Sequence, residues 1–186
     1  MNINDNFTDF INFYRNNIIS ITSKVMMRTL GQIEGDIIDA SICWAVTDNI
    51  TELLADKGSN PLLMEVLDPI KTINFIRDQL TNNKLLIIWQ DQLYNGQPIG
   101  SDHWFAIIGD NHNAHIIEHT PRVCNYSETM DVDQLVHHLY NILIGKEPDR
   151  FYQSKGQHLF KITSFKRKPL NSDTIRLFLT SNNEPY

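Results

Sequence analysis

Three short runs decide the fold class: Lys84-Leu85-Leu86-Ile87-Ile88-Trp89-Gln90, His103-Trp104-Phe105-Ala106-Ile107-Ile108-Gly109 and Ala114-His115-Ile116-Ile117-Glu118-His119-Thr120. Each is apolar and rich in β-branched or aromatic residues, which is the composition of a buried strand. Asp110-Asn111-His112-Asn113 reads as a turn between the second and third runs, so these two are expected to form an antiparallel hairpin. Asp91 to Asp102, with Gly96, Pro98 and Gly100, reads as a polar loop.

Helical periodicity lies on either side of these strands. Phe7, Phe10, Ile11, Tyr14 and Ile18 recur at helical spacing up to about Lys24. Ser41 is a suitable N-cap for a helix reaching Asp56, with Val46, Ile50, Leu53 and Leu54 on its inner face. Asp68-Pro69 opens another, carried by Ile70, Ile73, Ile76 and Leu80. A third runs from about Asp131 to Ile144, with Gly145 past its end. Further strands are expected at Gln157–Phe165 and Thr174–Thr180. Helices early and strands later predict an α+β fold on a mainly antiparallel sheet. A chain of 186 residues predicts one domain over 1–186. Residues 1–35 read as a helical N-terminal extension and 181–186 as a loose tail.

Composition narrows the function classes. Apolar residues make up 41% and charged residues 20%, enough for a core and against wholesale disorder. The net charge of −6 argues against a nucleic-acid partner, and the one basic cluster, Lys166-Arg167-Lys168, reads as a solvated edge. No run is long enough for a membrane span. The first residues lack the pattern of a secretory signal, so the expected location is cytoplasmic, or exported as an effector without a signal peptide. Two cysteines, Cys43 and Cys124, make no disulfide framework and fit free thiols.

Cys43 falls in the first turn of its helix, where unpaired N–H groups and the helix dipole favour a thiolate. His103 opens a strand, and an imidazolium beside the sulfur adds to that effect. The hairpin brings the strand of Glu118 alongside the strand of His103. A carboxylate there is expected to accept the Nδ1 proton, fix the tautomer and aim the other nitrogen at sulfur. The register leaves His119 and Thr120 as alternative neighbours of His103. Thiol, imidazole and carboxylate are the parts of nucleophilic attack on a carbonyl.

Ser41-Ile42-Cys43-Trp44-Ala45-Val46 resembles the nucleophile segment of papain-like cysteine peptidases, and Ser101-Asp102-His103-Trp104-Phe105-Ala106-Ile107-Ile108 resembles their histidine strand. The 15-residue step from His103 to Glu118 is similar to the spacing in papain-like bacterial effectors and toxin domains. The resemblance covers roughly residues 39 to 48 and 101 to 120. It implies a papain-like α+β fold and a Cys43 nucleophile with a His103 base. It also implies a protein or peptide substrate, with no cofactor and no metal. Protease, glutamine deamidase and transglutaminase chemistry share these parts. Trp44 and Trp104 are candidates for lining a substrate groove.

Two features depart from the family. Ile37 stands where an oxyanion-hole Gln is usual, leaving Gln32 and Gln97 as candidate donors. Glu118 is one methylene longer than the usual Asn or Asp. Taken singly, a buried cysteine is a small hydrophobe and a tryptophan beside it a core aromatic. A rival motif, His115-Ile116-Ile117-Glu118-His119, matches the H-x-x-E-H pattern of inverted zinc peptidases. That pattern binds zinc on a helix, whereas a strand sets His115 and His119 roughly 13 Å apart. A non-catalytic protein-binding module is the third reading. His137 and His138 leave different helix faces and read as surface residues.

Overall fold

The computed structural model describes residues 43–100, 103–118, 126–149 and 155–168, except the side chains of residues 44–46 and 126–128. In chain order the elements are α1 (Cys43–Leu54), β1 (Leu62–Glu65), α2 (Pro69–Thr81), β2 (Leu85–Tyr94) and β3 (Gln97–Pro98). They continue with β4 (His103–Asp110), β5 (Asn113–Glu118), β6 (Tyr126–Asp131), α3 (Val132–Leu143) and β7 (His158–Phe165). The sheet order is β1-β7-β2-β4-β5-β6, with β3 added to β2, and every pairing among the described residues is antiparallel. The α+β class and the antiparallel sheet are therefore as the periodicity predicts.

The expected helix and strand boundaries hold within a few residues. Asp68 caps α2, its carboxylate accepting from the Ile70 and Lys71 amides, with proline at the first helical position. Asp131 caps α3 in the same way through Asp133 and Gln134. Gly145, at φ +77°, follows α3 in the left-handed region, where glycine is least strained. Three features were not expected. Asp91 to Tyr94 extends β2 instead of looping, and Asn95-Gly96 turns it into β3 with both residues at positive φ. That pair is a two-residue hairpin signal inside a segment whose polarity suggested a loop. Strands β1 and β6 lie on the two edges, where one neighbour suffices and apolar patterning is weak.

Strand alternation divides the core between the two faces. On one face α1 lays Ile50, Leu54 and Ala55 over Leu85, Ile87, Ala106, Ile108 and Ile117. On the other, α2 and α3 bury Leu86, Ile88, Phe105, Ile107, Ile116 and Phe160. A fully buried aliphatic or aromatic side chain of this kind contributes roughly 1.5–3 kcal/mol. α2 approaches β4 so closely that a Cβ on Gly109 would meet the Leu80 carbonyl oxygen at 2.4 Å, so this strand position requires glycine.

Lys166-Arg167-Lys168 corrects one expectation. Arg167 is half-buried, bridges to Ala55 and donates from Nε to the Asn83 carbonyl at 3.4 Å. His138 is also half-buried and meets Glu147 at 2.6 Å, while His137 is exposed. Among the described residues, no helix is long and apolar enough to cross a membrane. The expected helix at 7–24, the strand at 174–180, the extension 1–35, the tail 181–186 and Cys124 lie outside the described residues.

Candidate active site

Cys43 is the first residue of α1, so its side chain leaves the helix where the amides have no intrahelical partner. The β4–β5 ladder runs from Asp110↔Asn113 to Ala106↔Ile117. Two positions further along β4, the Trp104 N–H instead donates to Cys43 Sγ at 3.3 Å. Cys43 is buried, 9% exposed.

His103 begins β4 and is fully buried. Its ring stacks on Phe105, two residues along the same face, with centroids 5.9 Å apart and planes at 25°. Phe105 meets Phe160 edge to face at 6.0 Å, so the imidazole rests on a rigid aromatic base. Nε2 meets Glu118 Oε1 at 2.5 Å, a short charge-assisted contact between two buried groups. The thiol of Cys43 stands close enough to the same ring to raise its pKa.

This geometry corrects the expected wiring in two respects. The carboxylate takes Nε2 rather than Nδ1. Continued by one step, the β4–β5 ladder brings Glu118 abreast of Phe105. His103 and Glu118 are therefore diagonal neighbours rather than directly opposite, a separation that long side chains can span. The extra methylene of glutamate suits that reach. His119 and Thr120, the alternative neighbours, lie outside the described residues.

The electrostatics follow from the contacts. Burial alone pushes the His103 imidazole down, but the hydrogen bonds to Cys43 and Glu118, together with their charges, outweigh it. The result is a pKa raised from 6.5 to about 9. At neutral pH the ring holds two protons, with Nε2–H donating to the carboxylate.

The remaining candidates separate clearly. Trp104 lines an open groove of about 430 Å³ together with Trp89, Lys161 and Leu63. The Trp44 side chain lies outside the described residues, as do Gln32 and Ile37. Gln97 is exposed on the short strand β3. Gln90 was not singled out from sequence, yet it pairs directly with His103 and is 4% exposed. The available signal was a lone polar residue ending the apolar run Leu85–Trp89.

Residues His115–Glu118 of the zinc motif lie on strand β5, and His119 lies outside the described residues. His115 and Glu118 therefore leave from opposite faces of the sheet. His115 is held by Thr129 Oγ1 at 2.8 Å and Asp110 Oδ2 at 3.2 Å. Among the described residues no three His, Cys, Asp or Glu side chains are grouped to hold a metal. No family model matches this chain, nor does any curated protein or solved structure. The functional reading rests on the site itself.

Proposed function

We propose that the protein is a thiol-dependent acyl-transfer hydrolase, a cysteine protease or protein glutamine deamidase on a papain-like plan. The observation that carries this reading is one buried imidazole bonded to a carboxylate, with a helix-terminal thiol close enough to raise its pKa. Nucleophile, base and orienting group are thereby in bonding reach, the arrangement that activates a weak nucleophile. Such a triad is recognised by geometry and role.

In the proposed reaction His103 already carries the proton as imidazolium beside the sulfur, and Cys43 sulfur attacks the carbonyl carbon of a peptide or carboxamide as its C=O bond opens. His103 returns the proton to the departing amine or ammonia as the C–N bond breaks, leaving a thioester on Cys43. Water then attacks that carbonyl, giving up a proton to His103, and the acid leaves as the C–S bond breaks. An amine in place of water gives transglutamination. Glu118 stabilises the imidazolium through both proton transfers without itself taking the proton. The amides at the start of α1 are donors suited to the oxyanion that forms beside sulfur. The substrate is a protein or peptide, and the histidine-to-carboxylate spacing favours an effector or toxin role by analogy. No cofactor enters this scheme.

The test is intact mass of the protein after exposure to a carbonyl-mimicking, thiol-directed probe at pH 7. A single adduct at Cys43 that forms slowly in His103→Ala supports the proposal. Equal labelling of Cys43 and Cys124, indifferent to His103, contradicts it. Cys43→Ala retaining its full biological effect would instead favour the binding module.

A further inference from the structure

Trp104 links the groove and the thiol: its side chain lines the groove and its N–H donates to Cys43 Sγ. On the α1 face, four adjacent strands place Glu65, Lys161, Trp89 and Trp104 in one row, through the register pairs Glu65↔Lys161, Trp89↔Lys161 and Trp89↔Trp104. α1 covers the next part of this face, over Ile87, Ala106 and Ile108, but the row itself borders the groove. At its inner end the Trp104 N–H lies on Cys43 Sγ. At its outer end is β1, the edge strand, where Leu63 is 76% exposed. Three strand spacings make a track of roughly 14 Å, the span of about four extended residues.

The chemistry of the lining selects the occupant. Lys161 Nζ stands 4.4 Å from the centre of the Trp89 ring and 3.3 Å from Glu65. The two charges therefore satisfy each other, and neither demands a charged ligand. What remains to be covered is the indole of Trp104, the free part of Trp89 and the Leu63 side chain. Apolar groups in a groove that shares Trp104 with the nucleophile are surface on which a ligand gains by losing water.

We propose that this groove takes an extended, neutral stretch of the polypeptide acyl donor, laid across β4, β2 and β7 toward β1. An aromatic or long aliphatic side chain two to four residues from the attacked carbonyl rests on Trp104, Trp89 and Leu63. This inference rests on the thiol reading above and names the substrate class for that site.

The test compares tetrapeptide acyloxymethyl ketones carrying Phe, Gly or Asp in the third residue from the ketone, with iodoacetamide alongside, on the full chain. Phe is expected to label Cys43 at least about tenfold faster than Gly or Asp. Leu63→Asp, at an exposed rim position, and Trp89→Ala are each expected to remove most of that gap. Equal rates for Phe and Gly, a faster Asp probe, or a Phe advantage undiminished in both variants would overturn the groove proposal. His103-dependent iodoacetamide labelling reports on the thiol reading by itself, so failure of the groove and failure of the thiol reading are distinguishable.

Discussion

Two buried histidine–carboxylate pairs lie in neighbouring strands, and their surroundings differ. His103 is bonded to Glu118, and a thiol at a helix terminus is close enough to raise its pKa. His115 sits between Asp110 and the Thr129 hydroxyl, within the β4–β5–β6 ladder. Each set holds a nucleophile type, an imidazole and a carboxylate. Only the first has its nucleophile at a helix N-terminus, with Trp104 linking it to a groove. A histidine–carboxylate contact alone is thus no site. The nucleophile's position at a helix N-terminus and an approach path distinguish the two.

The largest expected effect is at the thiol. Cys43→Ala should abolish covalent labelling and turnover, and His103→Ala should slow labelling by on the order of 10²- to 10⁴-fold, read by intact mass against time. Glu118→Gln should come next, slowing labelling by roughly tenfold or more, because an amide cannot balance the imidazolium. Its rate profile should lose activity at lower pH on the alkaline side, since the bond and charge of Glu118 help hold the His103 pKa near 9.

Stability should carry the same signature. An unfolded histidine titrates near 6.5, whereas folded His103 titrates near 9. The raised value means its contribution is complete below pH 6.5 and fades as pH rises through 9. The melting temperature should fall across that window, and fall less steeply in Glu118→Gln. The smallest effect is at the second pair. Thr129→Val should cost on the order of 1 kcal/mol by denaturant titration and leave the labelling rate unchanged. A tenfold slower reaction in Thr129→Val would break the distinction between the two histidines.

Much of this arrangement is legible before folding. The apolar runs at 84–90 and 103–109 mark the two central strands, because strands buried on both faces carry their signal in every residue. Cys43 at a helix start and His103 at a strand start follow from capping and turn residues that act locally. The choice of Nε2 over Nδ1 and the diagonal reach of Glu118 do not follow, because both depend on the β4–β5 register. Edge strand β1 is invisible for a related reason. Leu62–Glu65 is mostly exposed and becomes a strand through its pairing with β7. The row from Glu65 to Trp104 joins residues from four strands, so no local pattern reveals it.

The central claim is that one imidazole is bonded to a carboxylate, with a thiol close enough to raise its pKa. Its most direct test is the titration of the His103 ring by NMR from pH 6 to 10, in the natural sequence, in Cys43→Ala and in Glu118→Gln. The account predicts a midpoint near 9 that drops in both variants. A midpoint near 6.5, or one that neither substitution moves, would contradict it.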